Sequence, residues 1–322
     1  MSFSSKTKNE LVRKIFEKKC CQFAEASSLL RMSGTIQLVG LNRVNIRVTT
    51  ENPAIARLIF KLFKNNFGLY AEVLVKKNKV LKKGNTYVIL IIDATKILQK
   101  LEIINFENNS FNINYKLPNE LLKNECCKRA YLRGAFLGGG SVSDPEKTYH
   151  LEFVTHNEEF SEELLRLVNS YRLKAKVILR KNNYVVYLKE GDQIVDLLNI
   201  IGAHNALLYL ENIRIIKQMR NNVNRIVNCE TANLSKIVEA SIRQIRNIQY
   251  IETTAGFKIL PDNLREIAEL RLKHKNASLK ELGQMLTPPV GKSGVNHRLR
   301  KIEKIAQQLK KKGEFNNDKK RL

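Results

Sequence analysis

The chain has no CxxC pair, no apolar run long enough to cross a bilayer, and few acids for its length: 31 Asp and Glu against 56 Lys and Arg in 322 residues. Each shortage excludes something. A membrane-spanning helix needs about 18 consecutive apolar residues. With none present, and with no signal peptide at the start, the chain reads as neither inserted nor exported. The five cysteines, two adjacent pairs at 20–21 and 126–127 plus Cys229, have no zinc-ligand spacing and no secreted disulfide framework. They read as small hydrophobes in a reducing cytoplasm. No metal and no cofactor is expected. The shortage of acids leaves a formal charge of +25, divided as +13 over residues 203–322 and +12 before them. Excess on both halves points to a polyanionic partner, most simply nucleic acid; a soluble protein with many surface lysines is the plain alternative.

What is present is a repeat. The stretch from Cys20 to Gly34 aligns without a gap on Cys126 to Gly140, 106 positions on. Downstream, Val44, Ile46 and Val48 match Tyr149, Leu151 and Phe153. The run 70–74 matches 174–178, Tyr87-Val88-Ile89 matches Tyr184-Val185-Val186, and Ile97, Leu98 and Leu101 match Ile194, Val195 and Leu198. The first 202 residues are two copies of one α/β unit. The repeated stretch reads as a helix with a ridge of small residues. Ala130, Gly134 and Gly138 fall at i, i+4 and i+8, as do Ala24, Ser28 and Met32, so each set shares one face. Small side chains there let two helix backbones approach closely, about a pseudo-twofold axis.

Those residues carry a resemblance. Leu132-Arg133-Gly134-Ala135-Phe136-Leu137-Gly138-Gly139-Gly140 resembles the signature helix of the LAGLIDADG homing endonucleases, which pair two such helices between two DNA-gripping β-saddles. The resemblance implies that the penultimate signature position holds a metal-binding acid. Here those positions are Ser33 and Gly139. A hydroxyl and a hydrogen cannot hold Mg²⁺ as carboxylates do. Asp144 and Glu146 follow only in the second copy. The expectation is a DNA-binding fold without nuclease activity.

Along the chain, residues 5–18 read as a helix with Leu11, Val12, Ile15 and Phe16 apolar. Residues 43–49 alternate cleanly. Val44, Ile46 and Val48 turn inward; Arg43, Asn45, Arg47 and Thr49 turn outward, a row suited to phosphates and base edges or simply to solvent. Pro53 opens a helix over 54–66. A hairpin follows with Lys76, Lys77, Lys79, Lys82, Lys83 and Gly84 at its turn, tracking a DNA backbone or blunting a sheet edge. In the second copy Thr148, His150 and Glu152 replace Arg43, Asn45 and Arg47, so any grip on DNA is lopsided. Gly138-Gly139-Gly140-Ser141 reads as a helix end with left-handed glycine, since it lacks the phosphate-loop ending. His150, His156 and His204 read as structural.

A helix with Leu208, Leu210, Ile213 and Ile216 runs over 205–220 and ends at Asn221-Asn222, as a linker. Another spans 231–251, with Leu234, Ile237, Val238, Ser241, Ile245 and Ile248 inward. Pro261-Asp262 opens a third, with Leu264, Ile267, Ala268 and Leu272 apolar. Ser278 and Glu281 form a capping box for a short helix. Thr287-Pro288-Pro289-Val290-Gly291 breaks it, and a last helix runs from 293 to 311. The last three helices form a helix-turn-helix pattern. On the final helix Val295, Leu299, Ile302, Ala306 and Leu309 share one face. His297, Arg300, Lys301, Lys304 and Gln308 share the other, with Asn296 at its flank. A basic face on a helical bundle is the plain alternative to a recognition surface.

The runs 279–283 and 288–301, together with 224–233, closely resemble the WhiA family of bacterial DNA-binding regulators, and the likeness covers essentially the whole chain. Membership implies a regulator linked to sporulation, cell division and chromosome segregation. The expected fold is α+β: a pseudo-twofold, LAGLIDADG-like double αββαββα domain followed by an all-α helix-turn-helix domain. Its expected parts are two repeats (1–106 and 107–202), a helical linker (203–229), the helix-turn-helix domain (230–312) and a basic, disordered tail (313–322). Asn296, His297 and Arg300 are the candidates for bases. Arg298, Lys301 and Lys304 are the candidates for phosphates, and Ser293, at the helix start, is a further DNA-binding candidate. Arg43 and Arg47 are auxiliary. The expected partners are double-stranded DNA and protein regulators of transcription, on the nucleoid in the cytoplasm. The rival readings are an active homing endonuclease and an RNA-binding protein.

Overall fold

The computed structural model describes residues 1–40, 43–68, 71–77, 84–107 and 110–318. They form two compact units, Met1–Gln218 and Met219–Leu322. In the first, helix α1 (Phe3–Arg13) is followed by α2 (Lys19–Ser33), strands β1 (Gly34–Gly40) and β2 (Arg43–Thr50), α3 (Pro53–Phe67), β3 (Ala71–Lys77), β4 (Asn85–Ile91) and α4 (Thr95–Lys100). A short hairpin, β5 (Ile104–Glu107) and β6 (Ser110–Ile113), leads to the second copy. That copy comprises α5 (Glu125–Gly139), β7 (Gly140–Val142), β8 (Leu151–Thr155), α6 (Glu158–Asn169), β9 (Lys176–Arg180), β10 (Asn183–Leu188) and α7 (Gly191–Ile201). The second unit holds the C-terminal part of α8 (His204–Thr254), then α9 (Asp262–Lys273), α10 (Leu279–Gln284) and α11 (Lys292–Asp318).

The repeat is exact at the level of register. One sheet runs β1-β2-β4-β3 and the other β7-β8-β10-β9, all antiparallel. Val48 pairs with Gly34 and Ile89; Phe153 pairs with Gly140 and Val186. The equivalence of Arg47 with Glu152, and of Val73 with Val177, therefore rests on hydrogen-bond ladders as well as on sequence. Strand β2 buries Val44, Ile46 and Val48 at 0–1% exposure, with the polar row on the other side. Period-two alternation produces this when one sheet face is covered by helices.

Helices α2 and α5 pack side by side in parallel. Equivalent residues meet: a Cβ at Gly134 would collide with the Glu25 carbonyl and Ser28 Oγ, and one at Gly138 would come within 2.8 Å of Met32 Cβ. The small-residue ridge is therefore the helix–helix seam. Across the same seam Arg133 Nε donates to Glu25 Oε1 at 2.7 Å and Nη2 to Oε2 at 3.1 Å. Both side chains are almost fully buried, and the Phe16 ring lies 3.8 Å from the guanidinium carbon. Burial pushes the Glu25 carboxyl up while Arg133 pulls it down.

Several local expectations need correction. Helix α1 stops at Arg13, and Ile15 is exposed; the chain then turns towards α2, with Phe16 covering Arg133 of α5. Gly140 is extended (φ −83°), not left-handed. Its chain leaves the helix directly into β7, so the glycines serve close approach. Asn221-Asn222 ends nothing, because α8 continues to Thr254. Leu234, Ile237 and Val238 are exposed, and inward packing is complete only at Ile248 and Ile251. Helix α11 continues to Asp318. Lys79, Lys82 and Lys83 of the expected hairpin lie outside the described residues, as do Tyr70 and residues 319–322.

Candidate nucleic-acid interface

The second unit closes around Ile248, Ile251, Leu260, Leu264, Ile267, Leu282, Leu286, Val295, Leu299 and Ile302, all essentially buried. Short polar devices set the helix ends. Ser278 Oγ accepts from the Glu281 amide at 3.3 Å, and Glu281 Oε2 accepts from the Ser278 amide at 2.7 Å, the expected capping box. The turn between α10 and α11 is drawn onto α10. The Val290 amide donates to the Gly283 carbonyl at 2.9 Å, and a side chain at 283 would collide with the Val290 carbonyl. Glycine is required there by proximity. Arg271, 3% exposed, is a structural residue: its guanidinium donates to Gln244 Oε1 at 2.8 and 3.0 Å and to the Ala277 carbonyl, tying α9 to α8 and to the start of α10. Burial without a facing acid lowers its pKa. An Arg among apolar neighbours at helical spacing carries no sequence signal for this role.

Helix α11 then has two distinct sides. Val295, Leu299, Ile302 and Ala306 are 0–2% exposed, and Leu309 is half-buried. Ser293, His297, Arg300, Lys301, Lys304 and Gln308 are exposed, and Asn296 is half-buried at the flank. Arg298 differs from the others: it is half-buried, and its Nη1 reaches the Asn263 carbonyl of α9 at 3.4 Å. On the opposite flank Glu303 pairs with Arg243 of α8 at 3.1 Å. The acid nearest the basic face is thus turned away and neutralised, leaving three cations and a histidine on one side of one helix.

In the first unit, Arg43 is exposed and Arg47 half-buried on the outer sheet face. Asn45, between them, is already engaged, accepting from the Asp93 amide at 3.0 Å. The matching face of the second sheet is organised by Glu152, which meets His150 at 3.0 Å, Ser141 Oγ at 3.3 Å and Arg180 at 3.4 Å.

The ends of the paired helices show why chemistry differs from architecture. Ser33 Oγ donates to its own helix, to the Leu29 carbonyl at 2.7 Å. At Gly139 a Cβ would press on Met32 Cε and lie 2.8 Å from the Val154 carbonyl, so any side chain there meets fixed backbone on β8 and must displace the Met32 methyl. The cation at this end of α5 is Lys8, whose Nζ donates to the Leu137 carbonyl at 3.2 Å; burial lowers its pKa to about 8. Asp144 and Glu146 are used elsewhere. Asp144 accepts from the Glu146 amide, and Glu146 accepts from the Tyr209 hydroxyl at 3.2 Å.

A doubled LAGLIDADG-like unit with Ser33 and Gly139 at the signature acid positions, joined in one chain to a helix-turn-helix unit with a basic outer helix, defines a narrow class of proteins. Three family descriptions match in series: "WhiA N-terminal LAGLIDADG-like domain" over residues 19–104, "WhiA LAGLIDADG-like domain" over 128–220 and "WhiA C-terminal HTH domain" over 223–306. The chain belongs to the WhiA family. It is 64% identical over 309 residues to the probable cell division protein WhiA of Alkaliphilus metalliredigens, covering 95% of this chain and 98% of that one. It is 58% identical to the corresponding Thermoanaerobacter protein over 96% and 98% of the two chains. Among solved structures it is similar to full-length WhiA from Thermatoga maritima, with a TM-score of 0.60, 27% identity, and 96% and 99% coverage.

Proposed function

We propose that this chain is a sequence-specific DNA-binding transcription regulator that uses α11 as its recognition helix and acts in cell division, as the names of its relatives suggest. Chromosome segregation and sporulation are the further processes in which such control would be exerted. The observation that carries the reading is the division of α11 into a buried apolar stripe and an exposed face of His297, Arg300, Lys301 and Lys304. A helix held by one side and basic on the other can enter a major groove. Residues near its start reach deepest, which assigns Asn296, His297 and Arg300 to bases and Lys301 and Lys304 to phosphates, with Ser293 a further DNA contact at the helix start. Arg298 steadies the helix on α9 while remaining within reach of the backbone.

The doubled unit contributes nonspecific affinity through Arg43 and Arg47 and performs no hydrolysis. The support is local: Ser33 is spent on Leu29, and Met32 crowds Gly139.

Selection from random duplexes tests the assignment, with circular dichroism as the folding control. A bidentate contact gives roughly 1–3 kcal/mol of discrimination. Arg300→Ala should weaken operator binding about ten- to a hundredfold and relax one base position, while Lys304→Ala should weaken all sequences alike. A folded Arg300→Ala protein that keeps the full motif preference sinks the assignment.

A further inference from the structure

The fold brings together what the sequence keeps 106 positions apart. Cys20 and Cys21 open α2, Cys126 and Cys127 open α5, and the parallel pairing of the helices places both openings side by side. The four Sγ atoms all lie within 4.8 Å of one another, and Cys126 and Cys127 Sγ are 4.0 Å apart. Cys21 and Cys127 are buried at 3% and 1% exposure, while Cys20 and Cys126 form the rim. We propose that these four thiols are a tetrahedral thiolate site for a single soft divalent ion, zinc in the cell, which staples the N-terminal ends of α2 and α5.

The geometry selects the class of ligand. A Zn–S bond of about 2.3 Å requires sulfur–sulfur edges of about 3.8 Å; the Cys126–Cys127 edge is 4.0 Å and no edge exceeds 4.8 Å, so drawing the sulfurs onto an ion shortens each by at most about 1 Å. Hard ions are excluded because the set offers no oxygen. An iron–sulfur cluster would need space for its own irons and sulfides inside a set this tight. Disulfides account for the arrangement less well. Neighbouring cysteines on one helical turn do not form an unstrained bond, and two crossed disulfides would leave no reason for all four sulfurs to share one point. Binding converts four thiols and Zn²⁺ into a dianionic tetrathiolate and releases four protons to solvent. The positive ends of two helix dipoles face that charge. Neither helix start has a side-chain cap that would compete for it. Sequence spacing hid the site, because zinc-binding patterns are read within one loop and here each half of the ligand set belongs to a different repeat.

The test uses the full chain, untagged, purified reduced without chelator. Elemental analysis should find one zinc per chain. Co²⁺ titrated into the metal-stripped reduced protein should develop tetrahedral thiolate bands saturating at one equivalent. Cys20→Ser with Cys126→Ser alters only rim residues, so the buried packing stays intact. It should lower zinc affinity at least about a hundredfold and abolish the cobalt bands. A chelator should lower the melting temperature of the wild type and leave the double variant unmoved. Three results overturn the proposal: reduced wild type that takes up neither zinc nor cobalt, a double variant that binds zinc as the wild type does, or wild type whose thiols remain paired in disulfides under cytoplasmic reducing conditions. If the double variant fails to fold, the wild-type cobalt titration alone decides.

Discussion

At residue scale the feature of most consequence in the first unit is the Glu25–Arg133 pair. It links the two repeats inside their seam, with both charges desolvated. Such a pair is costly to half-remove, because the surviving charge has no water and no partner. Glu25→Gln should therefore destabilise the protein by about 3–5 kcal/mol, while Glu25→Leu with Arg133→Met should recover most of that loss. Urea unfolding of the full chain, followed by circular dichroism, measures both; equal losses in the single and double variants would show that the pair acts through packing alone. Arg300 and Lys304 are the opposite case. They are exposed, so their substitution should change stability by no more than about 0.5 kcal/mol while changing binding.

At the scale of elements the paired helices and α11 do different work. Helices α2 and α5 bury nearly their whole circumference, from Ala24 to Leu30 and from Ala130 to Leu137. Their amphipathic pattern is correspondingly weak, and only the glycine ridge reveals which side meets the other helix. Gly134→Ala places a methyl against the Glu25 carbonyl and should cost about 1–3 kcal/mol by forcing the helices apart. Gly291→Ala, with nothing within 4 Å of the new methyl, is the matched control and should be close to neutral. A denaturant midpoint series compares them; a neutral Gly134→Ala would mean that the seam is looser than its distances. Helix α11 was legible in advance because one side faces water. Its stripe of Val295, Leu299, Ile302 and Ala306 falls where period 3.6 puts it.

For the whole molecule, doubling an α/β unit has preserved topology while the surfaces diverged. The first sheet presents Arg43 and Arg47; the second presents Glu152 held by His150 and Arg180. Each phosphate contact removed should flatten the dependence of log K on log salt by about 0.9, so Arg43→Ala with Arg47→Ala should lower the slope by up to about two units. An unchanged slope would assign this face to solvent or to a protein partner. The unsubstituted protein, incubated with supercoiled plasmid and Mg²⁺ or Mn²⁺, should leave the plasmid intact. Metal-dependent nicking that survives purification and is lost in Asp144→Ala with Glu146→Ala would restore a nuclease reading, whereas nicking that persists in that variant marks a contaminating nuclease.

The sequence alone determined the repeat, the strand alternation of Val44 to Val48, the capping box at Ser278 and the two-sided last helix. Each is a local periodicity or a spacing within one turn, and such patterns survive without knowledge of what packs where. The small ridge also predicted that the two signature helices meet. Only the tertiary structure decided the rest. It made α8 continuous through Asn221-Asn222, whose modest helix penalty could not interrupt 51 residues, and it left Leu234, Ile237 and Val238 exposed despite their helical spacing. It also paired Glu25 with Arg133, buried Arg271 beside Gln244, and gathered Cys20, Cys21, Cys126 and Cys127 at one point. The last three depend on which side chains of distant segments meet: the ridge says that the two helices pair, but spacing along the chain does not say which of their other side chains touch, nor that Arg271 turns onto α8.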